Sequence, residues 1–272
     1  MTDPMTDAPI QILDTATKFE PSHQGAVVVC GSHGGVYPAY LAATAGLRAV
    51  ILNDAGVGLS SAGIGCLDYC AALGMAAATV AHDSARIGDA ADMRVRGRIS
   101  HVNPIAADLG CAPGQPVEDA SRRLAKAAPW HGVPPAYREG RKIVVERPGL
   151  PRVICMDSVS LVMPGDAGQI VVTGSHGGLL GGTRDAALAV DALAALYNDA
   201  GIGADEAGVG RLPALDARGI AAATVDAMTA RIGDGLSTYR DGIVSRLNDT
   251  ARARGGRVGI SAIELVELFL LG

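Results

Sequence analysis

Two histidines of this chain sit in the same glycine-rich pentapeptide. His33 lies in G-S-H-G-G at residues 31–35, and His176 in an identical segment at 174–178. An imidazole held there can give or take a proton near neutral pH. The flanking Gly34, Gly35, Gly177 and Gly178 allow a ligand to approach the backbone closely, and amides at the start of a helix can hold an anion or an oxyanion. Ser32 and Ser175 add hydroxyls. No general-base spacing marks either as a nucleophile, and turn hydrogen bonding is their plainer role.

Two further motifs recur with the first. N-D-A-G-x-G at 53–58 and 198–203 carries Asp54 and Asp199, each able to orient a histidine, act as a base or join a metal site. The same Asn-Asp pair before Ala-Gly is equally an ordinary turn former. A-R-I-G-D at 85–89 and 230–234 carries Arg86 and Arg231, whose guanidinium groups suit bidentate recognition of a carboxylate or phosphate. Their alternative partners are Asp89 and Asp234, three residues on.

The motifs belong to an internal repeat. Asp14, Pro21 and Gly25 match Asp157, Pro164 and Gly168 in the register of G-S-H-G-G. From Asn53 to Asn103 the second copy runs without a gap, and 24 of the 51 positions are identical. The repeats span 10–111 and 153–272. Between them, 112–152 holds seven prolines, Trp130 and eight Lys/Arg against four Asp/Glu, and reads as a basic linker or arm. A connector or an oligomer contact is its plain role, and a lid over an anionic ligand the sharper one.

To position these loops, each copy must alternate strands and helices. Residues 26–30 and 169–173, 49–52, and the A-A-T-V segments at 77–80 and 222–225 read as strands; 10–19 and 153–162 read as flanking strands. Residues 38–45, 67–73, 184–196 and 212–217 read as helices. Within the arm, 118–128 has helical spacing and 142–145 is a short strand. Ser261 with Glu264 three residues later signals the cap of a last helix. Apolar strands separated by helices imply two α/β halves with mostly parallel sheets, related by a pseudo-twofold axis. In such sheets the loops after the strands line the carboxyl edge, where ligands bind.

The copies also differ. His82 and Asp83 face Ala227 and Met228, Cys30 faces Thr173, Tyr37 faces Leu180 and His101 faces Arg246. The His82-Asp83 difference marks the first copy as the place for asymmetric chemistry, unless it is surface drift.

Known signatures are mostly excluded. There is no G-x-G-x-x-G fingerprint in the pentapeptide, no phosphate-binding G-x-x-x-x-G-K-[ST] loop and no H-E-x-x-H helix. His-Gly-Gly after a strand resembles the oxyanion loop of lipases and esterases, but G-x-S-x-G is missing. A pair of α/β lobes is similar in outline to the aspartate/glutamate racemases, which use two matched cysteines, whereas Cys30 is matched by Thr173.

Composition narrows the rest. A net charge of -5 without a basic, aromatic-rich face argues against nucleic acid. The first nine residues lack a signal-peptide pattern, no apolar run is long enough to span a bilayer, and five cysteines read as reduced thiols, so a cytoplasmic location is expected. No spacing demands a metal, although His33, Asp54, His82 and Asp89 could assemble a site, and no cofactor is expected. The expectation is an enzyme acting on a small, anionic, carboxylate- or amide-bearing metabolite, with a homo-oligomer as the partner state open to it and C–N bond hydrolysis as the first reaction. A cofactor-free lyase or isomerase, or a small-anion binding module, would use the same groups.

Overall fold

The computed structural model describes residues 8–183 and 187–271. Among the described residues eleven strands fall into two sheets of five and six, and the architecture is α/β with both sheets mostly parallel. The chain divides into two compact units, one of the described residues up to Asp54 plus Ile64–Tyr137, the other of Ala55–Gly63 plus the described residues from Arg138 onward.

The first unit carries β1 (Ile10–Leu13), β2 (Val27–His33), β3 (Ala49–Asn53), β4 (Ala76–Val80) and β5 (Ile99–Val102) in the order of the chain. The first four run parallel and β5 is antiparallel to β4. Its helices are α1 (Val36–Thr44), α2 (Cys66–Leu73), α3 (Ala90–Arg96), α4 (Pro104–Asp108) and α5 (Val117–Leu124). Successive residues of β2 point to opposite cores. Val27 and Val29 pack with Met93, Ala106 and Leu124 of α3, α4 and α5, whereas Val28 and Cys30 pack with Ala39, Ala42 and Cys70 of α1 and α2. Both faces are covered, which is why these strands read as unbroken apolar runs.

The second unit carries β6 (Arg141–Val145), β7 (Val153–Met156), β8 (Ile170–His176), β9 (Ala194–Asn198), β10 (Ala221–Val225) and β11 (Val244–Leu247), ordered β11-β10-β9-β8-β7-β6. The inner four are parallel, and both edge strands are antiparallel to their neighbours. Helices α6 (Arg211–Asp216), α7 (Gly235–Arg240), α8 (Asp249–Ala253) and α9 (Ala262–Leu271) complete it. The Ser261 hydroxyl accepts the Glu264 amide at 3.1 Å, as its cap signal anticipates.

Several elements differ from the sequence expectation. The strands expected at 10–19 and 153–162 stop at Leu13 and Met156, because Thr15 and Ser158 turn the chain into single 3-10 turns, Ala16–Lys18 and Val159–Leu161, and cap them with their own hydroxyls. β1 is outermost as expected, but β7 is covered by β6. The arm helix is shorter than 118–128. Of the helix expected at 184–196, residues 184–186 lie outside the described residues, 187–193 contain no helix, and Ala194–Asn198 is β9. An apolar run reads alike for a buried strand and a buried helix. Here Ala194 and Leu196 enter one core and Ala195 and Tyr197 the other, so every side chain of the run is buried only if it is extended.

Candidate active site

Strands β2 and β8 run further than their valine-rich segments suggest, through the serine to the histidine of G-S-H-G-G. Register then fixes what lies beside each imidazole. His33 is opposite Asn53 of β3, and Asn53 is opposite Val80 of β4. Asp54 donates its amide to Val80 O at 2.8 Å, so His33, Asp54 and the residues after Val80 line the carboxyl ends of three adjacent strands. In the second unit His176 is opposite Asn198, and Asn198 opposite Val225.

The glycines of the pentapeptide have distinct physical reasons. A side chain on Gly31 would stand 2.6 Å from Asp14 O and 2.8 Å from the Gly88 carbonyl carbon, because the A-R-I-G-D loop crosses over it and donates Gly88 N–H to Gly31 O at 2.8 Å. Gly233 N–H reaches Gly174 O in the same way at 2.7 Å. The next amides are engaged internally: Gly34 N–H donates to Asn53 O at 2.7 Å and Gly35 N–H to His33 Nδ1 at 3.1 Å. Gly177 and Gly178 donate to Asn198 O and His176 Nδ1 at 2.8 and 3.1 Å. A neutral imidazole whose Nδ1 accepts carries its proton on Nε2. Burial lowers the His33 pKa from 6.5 to about 4. His33 is therefore a neutral ring presenting an Nε2–H donor.

Ser32 and Ser175 fasten the edge turns: their hydroxyls accept the amides of Ala16 and Val159, each at 2.9 Å. Arg86 pairs through Nη2 with Asp89 and Asp92, both at 3.1 Å, and Arg231 with Asp234 at 2.7 Å. The within-loop partners foreseen for these arginines are thus in place.

Of the roles open to Asp54, its Oδ1 contacts fit the one beside a histidine. Its buried Oδ1 accepts the backbone amide of His82 at 3.0 Å and faces His82 Nδ1 at 2.9 Å, while the His82 side chain is 30% exposed. A carboxylate on Nδ1–H fixes the tautomer and makes Nε2 the ring's basic nitrogen. At the matching place in the second unit, Asp199 Oδ1 accepts the amides of Ala227 and Gly201 at 3.0 and 2.9 Å, and burial raises its pKa. Ala227 carries no ring, so Asp199 has no imidazole at the place that His82 takes beside Asp54. The sequence difference between His82 and Ala227 singles out His82, but nothing in its spacing joins it to Asp54, 28 residues away.

In the second unit Asn198, the residue before Asp199, has a structural task. Its Oδ1 accepts Ala200 N–H and its Nδ2 donates to Ala230 O, both at 2.9 Å, tying the turn to the A-R-I-G-D loop. The five cysteines are free and buried. Burial pushes Cys30, Cys70 and Cys155 up to about 12 and raises Cys66 and Cys111, so none is a ready nucleophile. Among the described residues no group of three His, Cys, Asp or Glu is arranged to hold a metal ion, and no helix is long and apolar enough to cross a membrane.

A scan against protein-family models and searches of curated proteins and of solved structures find no match.

Proposed function

We propose that the strand-end rim of the first unit is the active site of an enzyme that hydrolyses a C–N bond in a small carboxylate- or amide-bearing metabolite. The single observation that carries this reading is the 2.9 Å contact between Nδ1 of the half-buried His82 and the buried Asp54 carboxylate. His82 Nε2 removes a proton from water, and the hydroxide adds to the amide carbon. Nε2–H of His33, neutral and at the end of β2, two strands from β4, donates to the oxyanion that forms. Collapse breaks the C–N bond, and the proton held on His82 leaves with the amine. Water adds across the bond, and no protein hydroxyl or thiol is needed as nucleophile. In this reading Arg86 and Arg231 are structural, each already neutralised by acids of its own loop.

The second unit is read as a duplicated copy that has lost the chemistry. Supporting the duplication are the 24 matched positions and the recurrence of particular hydrogen bonds, such as Thr79–Ser100 at 2.9 Å and Thr224–Ser245 at 3.1 Å.

The neutrality of His33 also favours a second reading. A neutral imidazole donor paired with a separate base suits proton abstraction next to a carbonyl, as in a cofactor-free isomerase or lyase. Incubation of the protein with panels of small amides and keto acids in 18O-labelled water separates the two. Hydrolysis places 18O in the new carboxylate and adds one water to the mass; proton transfer in D2O exchanges a C–H without adding water. Products formed equally well by His82→Gln would refute both.

A further inference from the structure

Every non-glycine residue with positive φ among the described residues lies in one of two stretches: Ala55, Val57, Ser60 and Ser61, or Ala200, Ile202, Asp205 and Glu206. With Gly56 and Gly58 included, residues 55–58 form four consecutive left-handed positions, at φ of 49°, 76°, 63° and 70°. Val57 and Ile202 are β-branched and strongly disfavour this region. Such a backbone persists only where its surroundings over-determine it, and here they can be named. Ala55–Gly63 belongs to the second unit, whereas Asp54, one peptide bond earlier, belongs to the first. A side chain on Gly56 would lie 2.9 Å from Gly201 Cα, and one on Gly58 3.0 Å from Ala227 O. Leu59 N–H donates to Ala227 O at 2.8 Å, and Gly63 N–H closes the loop on Val57 O at 2.8 Å.

We propose that this strained turn is the device that aims the Asp54 carboxylate at His82, with Gly56 and Val57 as positioning residues. The inference builds on the catalytic reading of the pair but can be tested without a substrate. Asp54 Oδ1 must meet two donors of one residue, the amide and Nδ1 of His82, within 3.0 Å. Its direction depends on the backbone on either side of Cα. On one side stands β3, held by its ladder; on the other is a turn with no slack, seated against Gly201 and Ala227.

The test reads the tautomer of His82 from its side-chain 15N shifts in the full-length protein, assigned by loss of the signals in His82→Gln. Wild type is expected on Nδ1–H, and Asp54→Asn to move toward the Nε2–H form that free imidazole prefers. Gly56→Ala, which collides with the Gly201 backbone, is expected to shift toward Nε2–H as well. Val57→Gly, whose glycine adopts φ 63° without strain, should fold at least as stably as wild type and yet lose the fixed Nδ1–H state. Gly256→Ala serves as a control. It meets Ala251 O at 2.8 Å and destabilises the second unit away from the turn, so it should leave the tautomer unchanged. An Nδ1–H state retained in both Gly56→Ala and Val57→Gly overturns the positioning role, as does its loss in the control. If the tautomers behave as expected but turnover survives in His82→Gln, the catalytic reading fails and the positioning role stands.

Discussion

His82 Nδ1 stands 2.9 Å from Asp54 Oδ1, and the residue that aligns with His82 in the second unit is Ala227. This asymmetry predicts which substitutions stop the chemistry. His82→Ala and Asp54→Asn should each lower kcat by about 10²–10⁴-fold, the range of general acid–base catalysis. His176→Asn should leave kcat within a few-fold. Steady-state kinetics with melting curves on the same preparations check this. An inactive His176→Asn alongside an active His82→Ala would move the chemistry to the second unit.

The close approach of the A-R-I-G-D loop to Gly31 predicts a contrast between two glycines. Gly31→Ala places a methyl 2.6 Å from Asp14 O and 2.8 Å from Gly88, backbone atoms that cannot swing away. It should cost about 2–4 kcal/mol. Gly74, the left-handed C-cap of α2 at φ 75°, has open space around it, so Gly74→Ala meets only the conformational penalty of about 1 kcal/mol. Urea titration of both variants measures the difference, and equal losses would contradict the packing explanation.

How much of this was legible beforehand follows from range. Local signals read well: Ser261 caps α9, the A-A-A-T-V segments form β4 and β10, and loops rich in glycine and aspartate follow the strands. Contacts set by cross-strand register were not legible. Gly31 looked like part of a ligand loop, but its lack of a side chain is required by Gly88, which no local pattern reveals. The His33–Gly35 hydrogen bond, which fixes the imidazole as a donor, depends on β2 continuing through Ser32. β9 was hidden because Ala and Leu suit a buried helix as well as a buried strand. His82 joins Asp54 only once Val80 is paired with Asn53, so the mismatch between copies could flag His82 but not name its partner.

The thiols should be inert in the native protein. All five are buried and hold their protons well above neutral pH, so an Ellman's-type reagent at pH 8 should modify almost none of them until the chain opens. In guanidinium all five should react. Modification rates that track the unfolding equilibrium would agree with this, whereas one fast-reacting thiol in buffer would point to an opening near that cysteine.

The depressed pKa of His33 makes stability depend on acid in a defined window. The unfolded chain binds a proton to this ring near pH 6.5, and the folded chain only near pH 4. Between those values the unfolded state holds more protons, so stability rises with pH across the window and falls on acidification. The contribution is fully present above about 6.5 and lost by about 4. It should amount to some 2–3 kcal/mol, since each pKa unit corresponds to about 1.4 kcal/mol and the ring is not fully sealed. His33→Gln keeps a polar side chain with no proton to gain, so its stability should be flatter over the window than wild type. Urea midpoints at half-unit pH steps measure both slopes. The same ionisation should leave no break in a kcat/KM profile above pH 5, because the His33 ring is already neutral there. An inflection near pH 6 that disappears in His33→Gln would mean the ring is protonated in the working enzyme, and the donor role assigned to Nε2–H would have to be abandoned.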